Sequence, residues 1–370
     1  MFHNYKFKNY NLPLVIAVVA LTIIGIMIIG SANSDNQSKQ IVGMIVGVIL
    51  MFIVSLVDFE FLLRFHWVYY VLTILLLLSV LLLGDSSLGA KRWINVGIRF
   101  QPSEISKIFL VLFFAWYFTH FMESLNTRKR LILTLVYIGI PLLLILKEPD
   151  LSTTIVTLMV VVTMFYAAGL TSKVVVPVLS ISIPAIVVFI LYSMQTGTVP
   201  FIKGYQKKRI LAWLRPNDYP QSSYQQQNSI MAIGSGQLLG KGLNNNDWNS
   251  VKNGNYISEP HTDFIFAVAG EEIGFIGSCI LILLMLFIVI QCLRIAKRAK
   301  NDAGKLICIG IASIIGFQSF VNICVVTGLM PNTGLTLPFV SYGLTSLVTI
   351  YIGIGLVLNV GLQAKKFYER

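Results

Sequence analysis

Long apolar runs separated by short polar segments fill the chain from end to end. Ten runs reach the length that a bilayer requires, at 12–30, 41–57, 67–84, 105–122, 131–146, 151–169, 174–193, 267–293, 305–328 and 341–363. A spanning α-helix needs about 20 apolar residues, whereas a strand of a membrane barrel needs only about 10. The pattern therefore predicts an all-α integral membrane protein, with a bundle of ten transmembrane helices in a single domain over residues 1–370.

The longest polar segment, 194–262, separates the seventh and eighth runs and predicts one large extracytoplasmic loop. Within it, 205–216 combines apolar residues with a basic cluster, which is typical of a helix lying on the membrane surface. The spacing of its glycines matches no phosphate-binding fingerprint and favours a flexible loop at Gly234, Gly236, Gly240 and Gly242. The last link, 330–343, is too apolar for a solvated loop, so we expect it to fold back into the protein and line a cavity.

The composition excludes an ordinary soluble domain, because charged residues make up only 12% of the chain and hydrophobic residues 56%. Soluble domains carry about 25% charged residues. The net charge of +12 follows the topology: links on one side carry most cations, whereas the short links 31–40 and 329–340 carry only Lys39 between them. Lys and Arg are enriched in cytoplasmic links, which predicts that both termini are cytoplasmic. The cations then face anionic lipid, and no nucleic-acid partner is indicated.

Asp263 lies where the polar end of the long loop meets the apolar run 264–266. A carboxylate at such a boundary can have its pKa raised by partial desolvation and still be reached from water, as a general base requires. The alternative is a cap, in which Asp263 or Thr262 binds the first amides of the following helix. The sequence leaves both interpretations open.

Charged residues also cluster at two other helix ends. Glu104 and Lys107 share one helical face after Gln101, as either a capping pair with a snorkelling lysine or a substrate contact. The link 147–150 holds three charges, which either pair internally or meet a substrate. Glu271 and Glu272, within an apolar run, are functional candidates or partners for Lys107 or Lys147.

Six motifs in this order resemble the SEDS family (shape, elongation, division and sporulation). They are GAKRWI at 89–94, QPSE at 101–104, EPDL at 148–151, HTDFIFA at 261–267, GEEIG at 270–274 and LPFVSYG at 337–343. The resemblance covers nearly the whole chain. It implies a glycosyltransferase of the bacterial cytoplasmic membrane that polymerises lipid II into peptidoglycan and works with a class B penicillin-binding protein. The short ends of the chain favour an elongation-type member over a division-type one.

The resemblance also assigns roles to residues. It places Asp263 at the family's essential aspartate, and Arg92, Arg99, Glu104 and Lys107 in its functional cavity. Lipid II carries an α-linked sugar on a diphosphate and the glycan is β-linked, so the transfer inverts the anomeric centre. Asp263 is then the candidate base for the acceptor hydroxyl. The full set of candidate substrate-binding residues is Arg92, Arg99, Gln101, Glu104, Lys107, Lys147, Glu148, Asp150, His261, Glu271 and Ser341.

Three questions stay open at this level. Cations such as Arg92, Arg99, Lys107 and Lys147 can stabilise a diphosphate leaving group without a cofactor. A divalent cation, Mg²⁺ or Mn²⁺, bridging the diphosphate and a carboxylate such as Glu104 is an alternative that the spacing does not demand. A flippase for the same lipid, or a scaffold that recruits a transpeptidase, would also carry charged residues in its membrane domain.

Overall fold

The computed structural model describes residues 5, 7–87, 90–95, 99–199, 204–244, 250, 256–257 and 259–363. Short 3-10 helices occur at Phe7–Asn9 and Met122–Ser124. The α-helices are α1 Leu12–Ala32, α2 Ser34–Leu56, α3 Phe59–Leu63, α4 His66–Leu83, α5 Pro102–His120, α6 Arg128–Lys147, α7 Leu151–Ala167, α8 Ser172–Thr196, α9 Tyr205–Leu214, α10 Pro220–Ser235, α11 Ile265–Lys297, α12 Asp302–Val326 and α13 Leu344–Leu362. The predicted all-α membrane fold is confirmed.

Each predicted span corresponds to one long helix, although the ends differ. The largest difference is at α2, which begins at Ser34 because the Asn33 side chain accepts hydrogen bonds from the amides of Asp35 (3.1 Å) and Asn36 (3.3 Å). Among the described residues, eight helices are long and apolar enough to cross a membrane: α1, α2, α4, α6, α8, α11, α12 and α13. Helix α7 is apolar but shorter, and α5 carries a buried ion pair, so the count of ten crossings stays a prediction.

The segment before α5 contains a small sheet that the hydrophobic pattern did not predict. Strand β1 (Asp85–Ser87) pairs antiparallel with β2 (Ala90–Asn95), which pairs antiparallel with β3 (Arg99–Phe100). The strands are too short to give a recognisable alternation of apolar and polar residues. The sheet is functionally relevant because β2 carries Arg92.

Close helix contacts hold the centre of the bundle together. A methyl group at Gly47 of α2 would lie 2.5 Å from the ring of Tyr351 on α13, and one at Gly43 would lie 2.7 Å from Leu344. These two glycines therefore allow α2 and α13 to approach, as their four-residue spacing predicts. The Tyr351 hydroxyl is also hydrogen-bonded to Thr22 of α1 at 2.9 Å.

The link between α12 and α13 folds back into the protein, as predicted. Leu335, Leu337, Phe339 and Val340 are all buried. The link also packs closely on α1, since a methyl group at Gly25 would lie 2.7 Å from the Cα of Val340. Its backbone is thus enclosed by protein, where irregular structure is tolerated within a membrane domain.

The glycine-rich segment after α10 is packed, so the predicted flexible loop is wrong. Helix α11 is interrupted at Gly274, whose φ of +66° lies in the left-handed region that glycine adopts without strain. The interruption leaves backbone carbonyls of the preceding turn without a partner within the helix. The amides of Lys241 and Gly242 donate to the carbonyls of Glu271 and Glu272, each at 2.9 Å. A methyl group at Gly240 would lie 2.2 Å from the Glu272 carbonyl oxygen.

Helix α9 is present as predicted, but it does not rest its apolar side on the membrane surface. Ile210 and Leu211 are buried in a small cluster with Val199. The Trp213 indole donates to the carbonyl of Gly328 at 2.8 Å. The apolar side of α9 therefore packs against protein, which turns part of its basic side toward the interior of the molecule.

We expect Gly236→Ala to destabilise the fold by about 1–3 kcal/mol, as overpacking does elsewhere. The added methyl would lie 1.9 Å from the carbonyl oxygen of Gly270, and backbone cannot move aside cheaply. Gly234→Ala is the matched control, because no atom lies within 4 Å of its added methyl and alanine favours the helix. Thermal unfolding of the purified variants in detergent measures the difference. Equal melting temperatures would contradict this packing.

Candidate active site

Asp263 lies immediately before α11 and does not cap that helix. The helix is capped by Phe264, without a side-chain hydrogen bond, which removes the cap interpretation of Asp263 and Thr262. The Asp263 carbonyl accepts a hydrogen bond from the Asn322 amide of α12 at 2.8 Å. The same amide donates to the Leu335 carbonyl at 2.5 Å, which ties Asp263 to the link between α12 and α13. Asp263 is partly exposed as a residue, while its carboxylate is desolvated by the protein around it.

The guanidinium groups of Arg92 and Arg209 lie near the Asp263 carboxylate, beside Gly334. A methyl group at Gly334 would lie 3.1 Å from Asp263 Oδ2, 3.2 Å from Arg92 Nη1 and 3.7 Å from Arg209 Nη1. Three chain segments distant in sequence therefore bring their charges to one point. Arg209 was not among the substrate-binding residues predicted from the sequence, which placed it only in the basic cluster of 205–216.

Backbone carbonyls hold both guanidinium groups. Arg92 donates to Pro149 O at 2.6 Å and to Thr333 O at 3.4 Å, and its Nε lies 3.7 Å from Asp150 Oδ2. Arg209 Nη1 donates to Asn332 O at 3.1 Å. Because these contacts come from two different links, the cations have a fixed position before any ligand binds.

Burial changes the pKa of the Asp263 carboxyl group. It raises this pKa, an effect that the positive charges of Arg209 and Arg92 partly oppose. Burial and the neighbouring charge of Arg92 also lower the pKa of Arg209 to about 10, so this guanidinium still carries its charge at neutral pH. The arrangement offers one basic carboxylate beside two fixed cations.

A small cavity opens beside these cations. Its enclosed volume is about 20 Å³, which is room for about one water molecule, so the cavity is a narrow recess. It is lined by Arg92, Pro149, Leu151, Gln206, Arg209, Ile210, Pro331, Asn332 and Thr333. Guanidinium groups and backbone at such a wall suit a planar or tetrahedral anion.

The link between α6 and α7 contributes three predicted residues in different environments. Asp150 is buried, caps α7 by accepting from the Thr153 amide at 3.1 Å, and lies near Arg92 and the Gln101 amide (3.5 Å). Glu148 is completely buried, whereas Lys147 is exposed. Of the two open interpretations, internal pairing therefore holds for Asp150 alone.

Lys107 does not snorkel to the membrane surface. It is buried and contacts Glu104 at 2.8 Å and the Gln318 side chain at 2.7 Å. Gln318 in turn donates to the carbonyl of Thr336 at 3.1 Å. This chain of contacts connects α5 to the link that carries Gly334, so the pair supports the backbone around Asp263.

The remaining predicted residues make contacts around this centre. His261 Nε2 lies 2.9 Å from the Asn36 amide and 3.2 Å from Glu259, and burial lowers its pKa. Ser341 Oγ accepts from the Leu337 amide and donates to the Thr262 carbonyl, each at 2.7 Å.

Arg99 and the two acids of α11 lie elsewhere. Arg99 is exposed on β3. Glu271 contacts Lys241 at 2.7 Å, and Glu272 accepts from Ser31. The predicted pairing of these two acids with Lys107 or Lys147 is therefore wrong, because the glycine-rich segment brings Lys241 to Glu271 and α1 brings Ser31 to Glu272.

The described part of the chain holds no group of three or more His, Cys, Asp or Glu residues placed to bind a metal ion. A divalent cation such as Mg²⁺ is commonly held by one or two carboxylates together with substrate phosphates. Glu104 Oε2, buried and without a hydrogen-bond partner among the described residues, is one carboxylate oxygen that fits such a role.

The apolar helical bundle, with two guanidinium groups held beside a carboxylate, defines a multi-pass membrane protein with a charged cleft. The chain belongs to the FtsW, RodA and SpoVE family, the SEDS proteins, whose model, described as "Cell cycle protein", matches residues 6–366. The resemblance seen in the sequence is thereby confirmed.

Relatives and solved structures agree with this membership. The chain is 32% identical to a "Probable peptidoglycan glycosyltransferase FtsW" of Geobacter sulfurreducens, over 97% of each chain. It is also 32% identical to the protein of that name from Escherichia coli, covering 87% of this chain and 76% of the other.

Among solved structures, one described as "Structural coordination of polymerization and crosslinking by a peptidoglycan synthase complex" matches with a TM-score of 0.77. It is 28% identical, covering 95% of this chain and 97% of the other. RodA of Thermus thermophilus matches with a TM-score of 0.70 at 26% identity, covering 96% and 98%.

Proposed function

We propose that this protein is a peptidoglycan glycosyltransferase that polymerises lipid II by an inverting transfer, with Asp263 as the general base. Family membership and the names of the relatives support the activity. The observation that carries the mechanism is the desolvated Asp263 carboxylate beside the guanidinium groups of Arg92 and Arg209. This arrangement provides a base and an anion site at one point.

The transfer requires one displacement. Asp263 takes the proton from the acceptor's 4-hydroxyl. At the same time the oxygen of that hydroxyl bonds to the anomeric carbon of the donor, and the bond from that carbon to the diphosphate breaks. The leaving group is undecaprenyl diphosphate, which departs as an anion and needs no proton. Arg92 and Arg209 stabilise its developing charge from positions fixed in advance by backbone carbonyls.

The other predicted residues divide by their surroundings. Asp150 and Gln101 position Arg92, and the Glu104–Lys107 pair holds the link around Gly334. Arg99 and Lys147 are exposed, and their role stays a contribution of positive charge to substrate attraction. Ser341 holds the backbone beside Asp263 through the Thr262 carbonyl, Glu271 pairs with Lys241 of the glycine-rich segment, and His261 contacts Asn36 of α2.

We further propose that the Asp263 end of the bundle faces outward from the bacterial cytoplasmic membrane and that both termini are cytoplasmic. The distribution of Lys and Arg among the links supports this orientation. A class B penicillin-binding protein is the proposed partner. The solved structure of a peptidoglycan synthase complex that coordinates polymerization with crosslinking supports that choice.

Lipid II supplied to the purified protein distinguishes the candidate functions. With the protein in liposomes, alone and with its transpeptidase, we expect glycan polymers on a gel of the reaction products. A flippase would move the lipid II headgroup across the bilayer and make no glycan, and a scaffold would do neither. Absence of polymer with the partner present would contradict the proposal.

A further inference from the structure

Glu148 is a buried acid that the mechanism above does not use. Its side chain is fully buried, and neither carboxylate oxygen has a hydrogen-bond partner among the described residues. Its neighbours use their hydrogen bonds elsewhere: Arg92 binds the carbonyl of Pro149, and Asp150 caps α7. An ionised carboxylate in such surroundings is costly unless it is paired.

The charges near Glu148 also influence its ionisation. Asp150, on the same link, disfavours its ionisation and Arg92 favours it, while burial is the largest influence and raises the pKa of Glu148 to about 9. Arg209 and Asp263 act on Asp150 and Arg92 in turn. On α5, the charged residues Glu104 and Lys107 pair with each other.

We propose that Glu148 carries a proton in the resting enzyme and that this proton prevents a net negative charge in the cleft, so that the cleft can accept an anionic diphosphate. With Glu148 neutral, the two guanidinium groups balance Asp150 and Asp263. Once Glu148 is ionised, the cleft holds one excess negative charge, which repels the substrate. Glu148 is thus a positioning residue that acts through the charge of Arg92. The electrostatic consequence rests on the proposed function, whereas the protonation itself does not.

Two measurements test the protonation without any substrate. An infrared difference spectrum between wild type and Glu148→Gln at pH 7 should contain the carbonyl band of a protonated carboxylic acid. A raised pKa also means that the folded state holds a proton which the unfolded state has released above its ordinary value of 4.5. As the pH rises from about 4.5 to 9, the wild-type protein therefore loses stability relative to the Glu148→Gln variant. The melting temperature of the variant should exceed that of wild type by more at pH 8 than at pH 5.

Kinetics with lipid II test the consequence. Glutamine imitates the neutral acid, so Glu148→Gln should keep at least about half of the wild-type kcat at pH 7. For wild type, KM should rise about tenfold per pH unit above pH 9, while kcat stays unchanged by Glu148. In the variant this rise should begin only near pH 10, where Arg209 loses its proton. Glu259→Gln, which removes an exposed acid, should leave the wild-type profile unchanged.

Three results would overturn the inference: absence of the acid band, a gain in melting temperature that is independent of pH, or loss of polymerisation at pH 7 in a folded Glu148→Gln protein. A wild-type protein that makes no glycan would instead contradict the proposed function and leave the spectroscopic result to decide on Glu148.

Discussion

Asp263→Asn is expected to reduce the rate of lipid II polymerisation by about 10²–10⁴-fold, the range that general-base catalysis supplies. Asparagine has nearly the same shape but cannot take the acceptor's proton. The backbone contact from Asn322 to the Asp263 carbonyl does not involve the side chain, so the fold should persist. Product gels over a time course, with enzyme and partner concentrations fixed, measure the loss.

Glu259→Gln is the matched control for Asp263→Asn. Glu259 is an exposed acid on the same stretch of chain and one of the charges that act on Asp263. Its removal should change the polymerisation rate by less than about twofold, since an exposed charge contributes little. Similar losses in both variants would mean that the stretch is sensitive to any change, and Asp263 would no longer be the base.

The raised pKa of Asp263 predicts the acid side of the pH profile. The carboxylate must be ionised to act as a base, so the rate falls as pH drops through its pKa. Burial has moved that pKa upward, which places the fall at a higher pH than for an ordinary carboxylate. The dependence of kcat on pH reports this value in the substrate complex.

Arg209→Gln is expected to lower kcat by about 10²–10³-fold, as the loss of one preorganised donor to a developing anion does in other enzymes. Arg209 lies beside the Asp263 carboxylate and is held by the Asn332 carbonyl. Glutamine keeps a hydrogen-bond donor and loses the charge. Steady-state polymerisation at several lipid II concentrations separates the effect on kcat from that on KM.

Lys208→Gln provides the control for this second variant. Lys208 precedes Arg209 on α9 but is exposed, so its charge is screened by solvent. We expect Lys208→Gln to polymerise at close to the wild-type rate. If Lys208→Gln and Arg209→Gln lost activity equally, general attraction by the basic helix would explain the effect better than a fixed contact with the leaving group.

The membrane architecture could be predicted from the sequence because a spanning helix leaves a long, local signal. Runs such as 12–30 and 305–328 can be recognised as spans from their own hydropathy, without information from the rest of the chain. The sheet β1–β3 left no such signal, since its strands are too short for a period to emerge. Packing of Gly240 against α11 was missed as well, because a close backbone approach is set by a distant segment.

Part of the site could also be predicted, because some of its residues leave a local signal in the sequence. Asp263 and the pair Glu104–Lys107 stand out because charge at a membrane boundary or within an apolar helix is costly. Arg209 belongs to a loop rich in cations, and only the folded chain distinguishes it from Lys208. Three-dimensional packing, through the buried face of α9, selects which cation meets Asp263.

The most direct test of the central claim is a single-turnover measurement of the first glycosidic bond, made together with the affinity for lipid II. Wild type and Asp263→Asn, each with the transpeptidase partner, should bind labelled lipid II with similar affinity, and only wild type should form the bond at an appreciable rate. Bond formation by Asp263→Asn at the wild-type rate would contradict the assignment of Asp263 as the base.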